Sequence, residues 1–185
     1  MPPKVKITKE DIVNAAFEIV RRDGSDAINA RNIATALGCS TQPVFSNFDK
    51  MEQLKLEVVK RANAMCEEYI AKEIERGEYP DYKASGMAYI RFAKEQKELF
   101  KLLYMRDRSD ETDNPQLKLD RSMHSIVQSS TGLAKEGAQL FHLEMWAYVH
   151  GIASMLATGF LELDKQLISK MLTDCYQGLK KQYGV

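Results

Sequence analysis

Within the seven residues Thr41–Asn47 stand two hydroxyls and two amides: Thr41, Gln42, Ser46 and Asn47. They occur in the stretch IATALGCSTQPVFSNFDK, from Ile33 to Lys50. Hydroxyls and amides crowded onto so short a segment suit hydrogen bonding to base edges and phosphates. The elements that must hold them follow from the same stretch. Asn29 is placed to cap a helix from Ala30 to about Leu37, and Gly38 stops it. Ser40 is placed to cap the next, from Thr41 to about Asn47, with Pro43 tolerated in the first turn. Ile33, Ala34, Leu37, Val44 and Phe48 supply the inward apolar side. Two short helices joined by a glycine turn, the second polar on one face, match the helix-turn-helix plan, whose second helix lies in a DNA major groove.

Composition neither helps nor forbids that reading. The chain has 185 residues and a formal net charge of zero. Residues 1–50 hold seven Lys or Arg against six Asp or Glu. A nucleic-acid function must therefore rest on local geometry rather than on a basic footprint. The three cysteines, Cys39, Cys66 and Cys175, are far apart, form no CxxC, and read as reduced thiols. His124, His142 and His150 make no i, i+4 pair, and no cysteine–histidine cluster has ligand spacing, so no metal site is expected. No GxSxG, P-loop or Rossmann glycine pattern is present, so no catalytic residues and no cofactor are expected. No run of 18 apolar residues and no signal-peptide core occurs, so neither membrane insertion nor export is expected, and the location read from this is cytoplasmic.

Helical periodicity runs through the rest. Ile12, Ala15, Ala16, Ile19 and Val20 form one stripe of a first helix, begun by a Thr8–Asp11 capping box and ended at Gly24. A long fourth helix is expected over residues 51–75, introduced by Asp49 with Glu52. Asp81 is expected to cap a fifth from Tyr82 to Glu95. A sixth is expected from Lys97 to Arg106. Asn114–Pro115 signals the start of a seventh, reaching about Ala134. An eighth spans about Ala138 to Phe160 and is apolar on more than one face. Asp164 caps a ninth, ending near Gln182. No stretch alternates as a strand would. The expected fold class is all-α, with a helix-turn-helix domain over residues 1–50 and a helical domain over 51–185.

The stretch from Thr8 to Leu54 also carries a resemblance. It has a helix with A-A-x-x-x-V, then glycine, then N-x-R-x-I-A-x-x-L-G-x-S, then V-F-x-x-F-x-K-x-x-x-L. In this it resembles the DNA-binding domain of TetR-family transcriptional regulators. Trp146–Ile152, WAYVHGI, is similar to a W-x-x-x-H-G element in the ligand-domain helix of one subgroup. The resemblance implies a ligand-responsive regulator, most often a repressor. Such a protein binds a pseudo-palindromic operator in double-stranded DNA as a homodimer built on helices 8 and 9. A small-molecule effector then releases it. It places Asn29, Arg31, Ser40, Thr41, Gln42, Pro43, Phe45, Ser46, Asn47 and Lys50 at the DNA, with Lys4, Lys6 and Lys9 as further phosphate candidates. The family usually has tyrosine at the position of Phe45; the phenylalanine is expected to keep the packing and lose the phosphate contact. Ile168, Leu172, Cys175 and Leu179 supply a stripe for the dimer. An effector pocket is implied among helices 4 to 8, with Tyr89, Phe92, Met105, Met123, Val127, Trp146 and His150 as candidate lining. Those residues suit an apolar or aromatic molecule. The neutral charge and Phe45 leave an alternative open: a small-molecule- or partner-binding helical protein that no longer reads DNA, or an all-α enzyme.

Overall fold

The computed structural model describes residues 7–106 and 121–185, without the side chains of residues 121–124. Among the described residues there are nine α-helices and no strand. The chain forms two compact units. The first takes residues 7–65 together with 96–106, and the second takes 66–95 together with 121–185.

In the first unit, α1 (Lys9–Asp23) begins at the expected capping box. Thr8 Oγ1 accepts from Asp11 N at 3.1 Å, and Thr8 N donates back to Asp11 Oδ2 at 2.8 Å. The Thr8 hydroxyl, donating to Asp11 Oδ2 at 2.7 Å, and then the Thr8 N–H hold the Asp11 carboxyl below its ordinary range. The helix ends at Gly24, whose φ of 88° few other residues tolerate. A single 3-10 turn (Ser25–Ala27) leads to α2 (Ala30–Ala36), capped by Asn29 Oδ1, which accepts from Asn32 N at 2.9 Å. Then comes α3 (Gln42–Asn47). Ser40 does not cap it: the N-cap is Thr41, with no side-chain bond, and Pro43 in the first turn lowers the need for one. Ile12, Ala16, Val20, Ile33, Val44 and Phe48 are buried together with Leu54 and Val58 of α4 (Met51–Glu75). Leu37, expected inside, is only half-buried. The sixth helix, α6 (Lys97–Tyr104), belongs to this unit and packs against α1, burying Leu99, Phe100, Leu102 and Leu103. It stops at Tyr104, two residues short of the expected end.

The second unit is arranged around α5 (Asp81–Glu95), which contacts α7 (Arg121–Thr131), α8 (Lys135–Ala157) and α9 (Lys165–Tyr183). Asp81 is the first helical residue rather than the cap. Ala84, Met87, Ala88, Tyr89, Ile90, Phe92 and Ala93 are buried on several sides of α5, as a central helix requires. Gly86 lets α8 and α9 come close: a Cβ there would lie 3.3 Å from Leu172 Cδ1 and 3.5 Å from Val149 Cγ2. The start signal Asn114–Pro115 lies outside the described residues, and α7 ends at Thr131 because Gly132 takes a φ of 74°. The eighth helix sits three residues earlier than expected. It stops before Gly159, also at positive φ, and leaves Phe160 outside the helix and exposed. Asp164 Oδ1 caps α9 as expected, accepting from Leu167 N at 2.8 Å.

Tyr82, His142 and Tyr176 meet between α5, α8 and α9. The Tyr82 hydroxyl and His142 Nδ1 are hydrogen-bonded at 3.0 Å, and the Tyr82 and Tyr176 rings sit edge to face at 6.1 Å. Burial pushes the His142 imidazole down to about 4 and raises the Tyr82 hydroxyl. The fold thus favours the neutral imidazole. That stabilisation is complete above pH 6.5 and is lost as pH falls toward 4. The part of the ring open to water holds the loss to about 2 kcal/mol. Chemical denaturation at pH 7 and pH 4 should give this difference, and a His142→Gln protein should lose less over the same interval. An equal loss in both proteins would assign the acid sensitivity elsewhere.

Candidate nucleic-acid interface and effector region

The first unit presents α3 on a buried footing. Val44 and Phe48 are buried, while Gln42, Phe45, Ser46 and Asn47 are exposed and Thr41 and Pro43 half-buried. Gln42, Phe45 and Ser46 are spaced i, i+3, i+4 and share one face. Two of the polar side chains are partly engaged by the helix itself. Ser46 Oγ donates to the Gln42 carbonyl at 2.9 Å, and Asn47 Nδ2 donates to the Pro43 carbonyl at 2.8 Å. Gln42 makes no such bond among the described residues.

Phe45 departs from expectation. It was expected to keep a packing role, yet it is 58% exposed. The backbone of α3 aims it away from the core that Val44 and Phe48 fill, so more than half of the residue is left open to water.

The flanking residues divide. Asn29 is occupied as the α2 cap. Arg31, inside the first turn of α2, and Lys50, just before α4, are exposed and have no carboxylate partner among the described residues. Lys9 is exposed and holds its ammonium 5.0 Å from the Phe48 ring. Lys4 and Lys6 lie outside the described residues. Exposed Ser40 completes the turn. The arrangement offers a short helix with an exposed amide and an exposed aromatic ring, and exposed cations at Arg31 and Lys50 on the flanking segments.

In the second unit, α5 and α8 bring together Tyr89, Trp146 and His150. The Tyr89 hydroxyl and His150 Nδ1 are hydrogen-bonded at 2.9 Å. The His150 ring stacks on Trp146 at 4.8 Å with 17° between planes. Burial lowers the His150 imidazole below its ordinary value, which keeps it neutral and suited to an uncharged partner. Phe92 is fully buried against the edge of Tyr69, 5.4 Å between centroids, and Val127 of α7 is fully buried. The side chain of Met123 lies outside the described residues. Met105 is corrected: it follows α6 in the first unit and is 47% exposed, so it does not have the cover that a lining position was expected to give.

The α9 stripe needs a second correction. Ile168 and Leu172 are buried within the unit, where α9 packs on α5 and α8, so they are not available to a second chain, while Cys175 and Leu179 of the same stripe are half-buried. Periodicity identifies an apolar face but not what covers it. On α8 and α9 themselves, the large apolar residues left exposed are Leu140, Leu143 and Leu167.

Sequence reading missed Glu73. It is 3% exposed and its Oε2 accepts from Arg91 Nη1 and Arg76 Nη1, each at 2.8 Å. A glutamate on a long mixed helix reads as solvated, and only its meeting with α5 reveals otherwise.

The nine helices among the described residues, with the short polar α3 held on its buried footing, make a helix-turn-helix fold. Comparison with known proteins agrees. Residues 82–175, just over half of the chain, match the family described as tetracyclin repressor-like, C-terminal domain. The crystal structure of a TetR-like transcriptional regulator from Rhodococcus sp. RHA1 superposes with a TM-score of 0.68 over 96% of each chain, at 15% identity. No curated protein matches. The chain belongs to the tetracycline-repressor-like family of transcriptional regulators. No helix among the described residues is long and apolar enough to cross a membrane.

Proposed function

We propose that this regulator is a ligand-released repressor, binding a pseudo-palindromic operator as a homodimer. The observation that carries the reading is the outward face of α3, where Gln42 and Phe45 stand exposed, with the exposed cations Arg31 and Lys50 on the flanking segments. Arg31 and Lys50 anchor the phosphate backbone, with Thr41, Ser46 and Asn47 adding polar contacts. Leu140, Leu143 and Leu167 on α8 and α9 join the two subunits. A two-fold dimer sets its recognition helices about 34–36 Å apart, one DNA turn. The effector binds among Tyr89, Phe92, Val127, Trp146 and His150. An uncharged, aromatic or apolar molecule with one hydrogen-bonding group suits this set. It releases DNA by preferring a conformer whose recognition helices are wrongly spaced, so effector and operator oppose each other by linkage.

The test is fluorescence anisotropy of the full chain on the DNA upstream of its own gene, at several salt concentrations. Affinity should fall steeply with salt and exceed that for random DNA. Arg31→Ala and Lys50→Ala should each lower the slope of log affinity against log salt by about one. Weak binding equal to that on random DNA would favour a partner-binding protein instead. Trp146 is the sole tryptophan, so its fluorescence reports effector binding directly. An effector that changes Trp146 emission and binds free and DNA-bound protein equally would remove the induction half of the reading.

A further inference from the structure

We infer that Gln42 and Phe45 read two neighbouring A·T pairs in each operator half-site, Phe45 by covering the methyl group of a thymine. This inference rests on the DNA-binding reading above. Ser46 and Asn47 donate to carbonyls of their own helix, at 2.9 and 2.8 Å. Among the described residues, the exposed α3 side chains with no such bond are the Gln42 amide and the Phe45 ring, which leaves these two for the bases while Ser46 and Asn47 keep capacity for other polar contacts. The ring is 58% exposed, bears no hydroxyl for a phosphate, and sits on a helix flanked in sequence by Arg31 and Lys50, exposed cations with no carboxylate partner among the described residues. An exposed aromatic on a polar helix finds apolar cover in the major groove at one place, the thymine C5 methyl. A glutamine amide donates and accepts at once and matches the N7 and N6 edge of adenine.

Spacing makes the two contacts neighbours. Three residues along a helix advance about 4.5 Å, close to the roughly 3.4 Å step between base pairs. Phe45 thus becomes a specificity determinant, and its loss should relax the sequence requirement at one position without weakening phosphate anchoring.

The experiment selects bound sequences from a random DNA library with the full chain, and repeats the selection with Phe45→Ala and Gln42→Ala. Each thymine of the recovered half-site is then replaced in turn by deoxyuridine, which removes the methyl and leaves the pairing intact. One thymine per half-site should prove sensitive, with affinity falling about fourfold for each methyl removed. Phe45→Ala should bind thymine and deoxyuridine DNA alike and lose the preference at that position alone. Gln42→Ala should lose the preference for adenine at the adjoining pair. Phe45→Tyr supplies the opposite check: were the ring against a phosphate, the added hydroxyl would strengthen binding to every sequence alike. That result would overturn the inference, as would a thymine methyl whose removal weakens wild type and Phe45→Ala equally, or a half-site in which no methyl matters. A library from which no sequence is enriched would instead overturn the DNA-binding reading itself, and this inference with it.

Discussion

Phe141→Ala is expected to destabilise the second unit by about 3–5 kcal/mol, the cost of truncating a fully enclosed phenylalanine. Phe141 is completely buried on α8. Its ring meets Tyr176 at 5.5 Å and Tyr183 at 5.6 Å, both edge to face, and Tyr82 at 6.4 Å. Those three tyrosines come from α5 and α9, so one ring is common to three helices. The site cannot collapse easily, because the tyrosine hydroxyls are already committed. Tyr176 donates to the Ser130 carbonyl at 2.6 Å and Tyr183 to Glu144 at 2.9 Å. A shift to fill the cavity would break those bonds. At this chain length the melting temperature should fall by about 6–20 °C. A thermal melt followed by circular dichroism measures it, and a loss under about 1 kcal/mol would mean the tyrosines close the gap.

Glu73→Ala is expected to remove about 3 kcal/mol. The carboxylate is buried and accepts from two guanidinium groups, so its removal leaves Arg76 and Arg91 facing each other without a counter-charge. Arg91 cannot turn freely to water. Its guanidinium lies 5.2 Å from the Tyr69 ring, and its Nε is buried without a partner among the described residues. Tyr69 in turn donates to Glu95 at 2.9 Å. Arg76 is the more exposed partner and can be hydrated, which sets the effect at the lower end for a broken buried pair. Glu73→Gln keeps the shape and one acceptor and should lose less than half as much. Urea unfolding of the three proteins decides the matter, and equal stability of Glu73→Ala and wild type would show that the cluster contributes nothing.

The features legible in the sequence are those decided within a few residues. Thr8 with Asp11, Asn29, and Asp164 announce their helices because a cap bonds to backbone three positions away. Gly24 ends a helix for an equally local reason, its positive φ. The polar face of α3 and the apolar periods of α1 and α8 are local too, and with the family-like spacing from Thr8 to Leu54 they mark the fold and the regulator class.

Tertiary structure decided what each apolar or charged face meets. Ile168 and Leu172 form a stripe that period alone cannot assign, and α5 with α8 covers it, leaving Leu140, Leu143 and Leu167 bare. The α6 segment follows α5 in sequence yet belongs with α1, more than 70 residues away, and so leaves Met105 exposed. Glu73 acquires Arg91, and His142 its tyrosine, only when separate helices are brought together. Phe45 differs from Phe48 by three positions and by nothing in composition; the course of the backbone buries one ring and bares the other. Local bonding sets where helices begin and end, whereas burial is a property of surfaces that meet, and no single segment carries the address of its partner.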